Sequence, residues 1–160
     1  MEEKVLLVLH NIKKTKALGR WDTYNVSVTE RRCIFAKLTA DMLKKATSAA
    51  NAEGKAEGKG FLSRWSDQMQ ASLSYGDRYF NMSPDDVLRE NPDNFALENS
   101  EIVAVKFRQK HQKGEKKGMI ERVVGEVTFE SKLSKSTYAM DSYPNNDIEQ
   151  MRKILGSKVQ

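Results

Sequence analysis

Hydrophobic and polar residues alternate near the start of the chain in a way that predicts β-strands. Residues 4–12 form a mostly apolar run, which indicates a strand buried on both faces near its middle. At residues 24–28 apolar positions alternate with polar ones, the pattern of a strand with one solvated face. A further alternation at residues 32–36 begins at Arg32, directly after Arg31. The pattern therefore predicts three strands, the last two joined by a tight turn.

A helical period replaces the strand pattern after residue 37 and extends, with interruptions, to about residue 91. Within this segment one apolar side chain recurs in every helical turn, which indicates an amphipathic helix. The residues that form this stripe are Phe61, Trp65, Met69 and Leu73. A glycine-rich repeat at residues 52–60 precedes the helix, and we interpret it as a linker. The sequence predicts a helical insertion, at about residues 38–91, after the third strand.

Strand signals return in the second half of the chain. Before them, Ser83 and Pro84 predict the N-terminus of a short third helix. Alternating apolar residues then predict strands at 102–107 and 119–131, and more weakly at 137–141. An amphipathic helix with its N-cap at Asn145 or Asn146 follows, and Gly156 ends it. This order predicts an α+β fold with a mostly antiparallel sheet and a C-terminal helix.

Composition limits the kind of protein this is. At 160 residues the chain fits a single domain over residues 1–160, large enough to bury a hydrophobic core. Its mean hydropathy of -0.66 indicates no membrane span, and its first residues lack the features of a signal peptide. Cys33 is the lone cysteine, so no internal disulfide can form. We therefore expect a cytoplasmic protein, and we expect no metal and no cofactor.

The hairpin VSVTERRCIFA, at residues 26–36, resembles a signature of bacterial pleckstrin-homology-like domains and of the related GRAM domains. Val28, Thr29, Ile34 and Phe35 carry the resemblance, together with Arg31 or Arg32. The stretch NSEIVAVKF and the capped C-terminal helix are similar to later elements of that family. The resemblance implies a strongly bent antiparallel sheet, or a partly open barrel, plugged at one end by the C-terminal helix.

Two features depart from the family pattern. The helical insertion has no counterpart in the resemblance. Basic residues between the first two predicted strands are only loosely similar to the phosphoinositide-binding signature of eukaryotic members, so the resemblance implies no lipid specificity. These residues are Lys13, Lys14, Lys16 and Arg20.

Basic residues cluster in two turns that the predicted topology brings together. Successive loops of an antiparallel meander alternate between the two ends of a sheet, so the turn at residues 31–32 and the loop at residues 110–117 are predicted to share one end. Such a cluster would attract an anionic surface, with about 1 kcal/mol from each basic residue near a charged bilayer. The same residues also fit ordinary solvated hairpins. The candidate anion- or lipid-binding residues are Arg31, Arg32, Lys110, Lys113, Lys116 and Lys117.

Nothing in the sequence indicates catalysis. Cys33 lies in an apolar strand, and neither His10 nor His111 has a carboxylate adjacent in the sequence that is suited to acid or base work. The repeat at residues 52–60 resembles a phosphate-binding loop only in outline, because its glycine spacing is too short and Gly60 follows Lys59 where Ser or Thr is required. We therefore expect no enzyme and no catalytic residue.

The net charge of +5 favours anionic partners without choosing among them. We expect a non-catalytic binding module that interacts with a protein partner, or with a second copy, through the helical insertion and the exposed loops. Phe61, Trp65, Met69 and Leu73 are the candidate interface residues. The alternative is peripheral binding to an anionic membrane through the basic end of the sheet. Nucleic-acid binding is a third and weaker hypothesis, because no aromatic residues accompany the lysines.

Overall fold

The computed structural model describes residues 2–39, 41–42, 75–112 and 122–160. Within them, seven strands form one antiparallel sheet accompanied by two α-helices, which confirms the α+β class and the C-terminal helix. The strands are β1 Leu7–Thr15, β2 Trp21–Val28, β3 Arg32–Leu38, β4 Phe95–Glu98, β5 Ile102–Gln112, β6 Arg122–Ser131 and β7 Lys135–Met140. The helices are α1 Pro84–Arg89 and α2 Asn145–Leu155. No helix among the described residues is both long enough and apolar enough to cross a bilayer.

Strand β1 connects the two parts of the sheet, because it lies between β2 and β7. The strand order is β4-β3-β2-β1-β7-β6-β5. It pairs with β2 from Leu7 to Thr15, but with β7 only between Lys13 and Ala139. A bulge interrupts its register between Leu9 and Ile12. Bulges bend the strand that carries them. The bulge therefore bends β1 locally, and in the described sheet β4 and β5 are not hydrogen-bonded to each other.

The inner face of the bent sheet carries the main core. Phe35 packs edge-on against Phe129 at 4.9 Å between ring centroids and lies near Tyr138 at 5.6 Å. Helix α2 adds Ile148, Met151 and Leu155 to this cluster. Burying each such side chain contributes about 1.5–3 kcal/mol, so the helical stripe fixes α2 over the inner face. The helix begins at Asn145, so the N-cap is Pro144 and the prediction of an N-cap at Asn145 or Asn146 is wrong.

The outer face of β2 is covered, and the expectation of a solvated face is wrong. Asn25 and Ser27 are 1% and 0% exposed. A 3-10 helix at Tyr75–Asn81 and helix α1 lie over this face and bury Tyr79 and Val87 with Ile34 in a second apolar cluster. The described end of the predicted insertion therefore packs on its own sheet. Its other positions, apart from 38–39 and 41–42, lie outside the described residues.

Asn99 ties together the open corner of the sheet. Its backbone N–H donates to the carbonyl of Arg31 at 2.8 Å, and its side-chain amide donates to the carbonyl of Thr29 at 2.9 Å. Lys158, just after α2, donates to the Asn99 carbonyl at 2.6 Å. The turn that leads from β4 to β5 is thereby fixed beside the β2–β3 turn. The sequence patterns did not predict β4, which is only 4 residues long.

Candidate functional site

The β2–β3 turn, which carries two of the predicted binding residues, is organised by Thr29. The Thr29 hydroxyl accepts the backbone N–H groups of Arg31 and Arg32 at 3.1 and 2.9 Å, an arrangement that closes the turn locally. The same hydroxyl donates to Glu3 at 2.5 Å. The turn is therefore fastened to the N-terminal segment as well as to Asn99.

Arg32 is directed into the molecule. Its guanidinium donates two hydrogen bonds to Glu3, both at 3.1 Å, and one to Asp85 of α1 at 2.7 Å. The Asp85 hydrogen bond is the main cause that raises the pKa of Arg32, and Arg32 in turn lowers the pKa of the Asp85 carboxyl. These hydrogen bonds join β3 to the N-terminal segment and to α1. Because only 12% of the Arg32 side chain is exposed, it offers little surface to a ligand.

Arg31 and Lys110 do not lie together in the structure. Arg31 is exposed, with one contact to Glu98 at 3.5 Å, and lies beside Asn99 near the start of β5. Lys110 pairs with Glu126 at 2.6 Å toward the other end of β5. At about 3.3 Å per residue, it is roughly 26 Å along the strand from Ile102. Lys113, Lys116 and Lys117 lie outside the described residues, as do Phe61, Trp65, Met69 and Leu73, so their predicted roles stay predictions.

The β1–β2 hairpin ends in a turn that displays a leucine to solvent. Residues Ala17–Gly19 form one 3-10 turn, closed by a hydrogen bond from the N–H of Lys16 to the carbonyl of Arg20 at 2.7 Å. Leu18 and Gly19 both have left-handed backbone conformations, with φ of 62° and 70°. This conformation is uncommon for a bulky residue. It leaves the Leu18 side chain 94% exposed at the apex of the turn.

Basic and aromatic residues flank this leucine in the hairpin. Trp21 is 58% exposed, and the Lys13 ammonium lies 6.0 Å from the centroid of its ring. We call this group the hairpin tip, defined by Lys13, Lys14, Lys16, Leu18, Arg20 and Trp21. The sequence signal for it was an apolar pair, Ala17-Leu18, inside a basic turn next to a tryptophan. The four basic residues were recognisable in the sequence, whereas no role was predicted for Leu18 or Trp21.

Carboxylates at the base of the tip hold two of its cations. Asp22 lies 2.7 Å from the Lys16 ammonium and 3.7 Å from that of Lys37. The hydrogen bond from Lys16 is the main reason that the pKa of Asp22 is lowered. Asp141 lies 3.3 Å from Lys13. Lys14 and Arg20 are exposed, and no ion pair is seen for them within the described ranges.

A second polar cluster lies at the bulge of β1. His10 Nε2 is 2.7 Å from Asp77 Oδ1, a contact between residues 67 positions apart. Asn11 adopts a φ of 53°, and its N–H donates to the buried amide oxygen of Asn25 at 3.0 Å. His10 also borders a cavity of about 160 Å³ with Asp147 of α2. Burial raises the pKa of the Asp147 carboxyl, and the nearby His10 partly offsets that effect.

The chemistry available at this cluster is limited. A His–Asp pair can orient a proton donor, but catalysis would also need a nucleophile or a bound water in reach of the imidazole. Within the described residues, no three His, Cys, Asp or Glu side chains are grouped as metal ligands would be. Cys33 is 0% exposed and donates to Asn99 at 3.5 Å. Burial raises its pKa to about 12, so the thiol is a poor nucleophile near neutral pH.

Comparison with known proteins leaves the hairpin tip and the His10 cluster to be interpreted from their own geometry. No protein-family model, no curated protein and no solved structure matches this chain.

Proposed function

We propose that this protein is a non-catalytic binding module that docks reversibly on anionic membrane surfaces through the hairpin tip. The single observation that supports this proposal most strongly is Leu18, which is 94% exposed at the apex of a cationic turn. An exposed apolar side chain usually finds cover on a partner surface when it is grouped with others. Here Trp21 follows three positions later in the same hairpin, and basic residues flank both in the sequence. Apolar and aromatic groups in a cationic setting are the combination that a bilayer interface favours.

We also propose that the fold is pleckstrin-homology-like. Support comes from the antiparallel sheet, which is left open between β4 and β5, and from the C-terminal helix over its inner face, both of which the family resemblance implies. The hairpin that carries the resemblance forms β2, the Thr29 turn and β3. In such a fold the β1–β2 loop can contact a membrane surface, because the turn at its end contributes no buried residue to the core. The described part of the insertion, over β2 and β3, does not cover that loop.

Rough energetics predict weak and reversible binding. Transfer of Leu18 into the acyl boundary contributes about 2 kcal/mol, and Trp21, already partly covered, contributes about 1–2 kcal/mol. Lys14 and Arg20 add about 1 kcal/mol each near an anionic surface. The sum of about 5–6 kcal/mol corresponds to a dissociation constant on the order of 0.1 mM. Useful residence on a membrane would then need a second contact or more than one copy of the protein.

Co-sedimentation with vesicles tests the proposal directly. We expect binding to phosphatidylcholine vesicles that contain phosphatidylserine, weak or no binding to phosphatidylcholine alone, and a decrease as salt is raised. Leu18→Ala should reduce binding at least tenfold. Leu6→Ala is the matched control, because Leu6 is 45% exposed at the opposite end of the same hairpin. Equal losses in both variants, or equal binding to neutral vesicles, would overturn the proposal.

Tryptophan fluorescence supplies an independent measurement. The chain has 2 tryptophans, so Trp65→Phe leaves Trp21 as the only reporter. Insertion should shift the Trp21 emission to shorter wavelength and make it accessible to quenchers carried on lipid chains. A protein that sediments with vesicles while the Trp21 emission stays unchanged would bind through another surface.

A further inference from the structure

We infer that the hairpin tip responds to the density of singly charged anionic lipids and does not select a polyphosphorylated headgroup. This inference rests on the proposed function, and it concerns the class of lipid rather than whether the tip binds a membrane. It comes from the way the carboxylates are distributed around the cations of the tip.

The cations that could converge on a multivalent phosphate are already paired. Lys16 is held by Asp22 at 2.7 Å, and Lys13 by Asp141 at 3.3 Å. Lys37, which lies behind Asp22, is shared between that carboxylate and Asp93 at 3.1 Å. A headgroup with several phosphates is recognised by charge-assisted hydrogen bonds from several cations at once. At this hairpin it would have to displace or approach three carboxylates.

The two remaining cations are spread along the turn. Lys14 belongs to the end of β1, where it faces Asp22 across the ladder, and Arg20 lies in the turn after Gly19. An exposed apolar apex with only two unpaired cations, one of which faces a carboxylate, matches a surface of diffuse negative charge, because such cations gain from the surface potential without a specific partner. The expected ligand is therefore a bilayer rich in a singly charged lipid such as phosphatidylserine.

Vesicles of equal surface charge test this inference. One set contains phosphatidylserine and the other contains an inositol bisphosphate lipid, each diluted in phosphatidylcholine to the same measured zeta potential. We expect apparent affinities within about threefold of each other, and about a fivefold loss in each of Lys14→Gln and Arg20→Gln on both sets. A soluble inositol trisphosphate headgroup should not compete. A preference above tenfold for the inositol lipid, or competition by the soluble headgroup, would overturn the inference while leaving membrane binding intact.

Two further outcomes separate the inference from the proposed function. Binding to neither set of vesicles would overturn the proposed function and the inference with it. Asp22→Asn releases Lys16, so this variant should gain affinity for the inositol lipid more than for phosphatidylserine if the carboxylate is what excludes phosphate. An Asp22→Asn variant with equal gains on both lipids would show that Asp22 only lowers the net charge, and would refute the mechanism proposed for the selectivity.

Discussion

Replacing Arg31 and Arg32 one at a time should lower the stability of the protein by different amounts, although the two residues are adjacent and of the same type. In Arg32→Met the two hydrogen bonds to Glu3 and the one to Asp85 are lost. Hydrogen bonds to charged groups each contribute about 1.5–3 kcal/mol when shielded, and an exposed partner such as Asp85 contributes little. Because Glu3 is itself 20% exposed, we count its two hydrogen bonds as one such interaction and expect a loss of about 2–3 kcal/mol, or about 5–10 °C in Tm. Arg31→Met should cost less than about 0.5 kcal/mol, because that side chain is 71% exposed.

Urea unfolding followed by circular dichroism measures both values. A double-mutant cycle with Glu3→Gln should show coupling of about 1–2 kcal/mol to Arg32 and none to Arg31. Arg32→Lys keeps the charge but loses the planar fork, so it should fall between the wild type and Arg32→Met. The difference between the wild type and Arg32→Met should also shrink as pH falls. The reason is that the lowered pKa of Asp85 stabilises the fold above its usual value of 3.8, and protonation removes that stabilisation. Equal losses of stability in Arg31→Met and Arg32→Met would refute the conclusion that Arg32 stabilises the fold through Glu3 and Asp85.

Other predictions concern the outer face and the cavity. A Cβ at Gly76 would lie 2.8 Å from the His10 ring and 3.1 Å from Asn25, so Gly76→Ala should cost about 1–3 kcal/mol in urea unfolding. His10→Ala should relieve most of that cost, and an additive double mutant would contradict the proposed clash. Because burial raises the pKa of Asp147, folding disfavours its charged form, and Asp147→Asn should stabilise the protein at pH 7 by less than about 1 kcal/mol. The gain should vanish below pH 3, where both proteins carry a neutral group, and a gain that persists there would refute the electrostatic cause.

Local patterns predicted the strands well where the pattern extended over many residues. The alternation in β2 and β3 and the helical stripe of α2 were read at nearly the correct bounds. Strand β4 was missed, since 4 residues are too few for a period to be recognised. The solvated face expected for β2 was wrong because Asn25 and Ser27 are covered by a segment about fifty residues later in the chain.

The candidate site shows the same limit more clearly. Which arginine of the pair is exposed depends on Glu3 and Asp85, and neither is a sequence neighbour. The contact between His10 and Asp77 depends on the bulge in β1 and on the path of the chain over the outer face. The exposure of Leu18 at the apex of the turn was easier to predict than these contacts. An apolar residue beside glycine in a basic turn has no core to enter, and that reasoning could have identified Leu18 from the sequence.

The sharing of β1 between β2 and β7 also constrains how the chain can reach its folded state. β1 pairs with a neighbour adjacent in sequence and with another more than a hundred residues later. The first hairpin can therefore form early, but its inner face stays uncovered until β7 and α2 have been made. Contacts over such long separations slow folding, and they expose apolar strands during synthesis. During synthesis, the apolar inner face of the first hairpin would stay exposed to solvent until α2 has emerged from the ribosome.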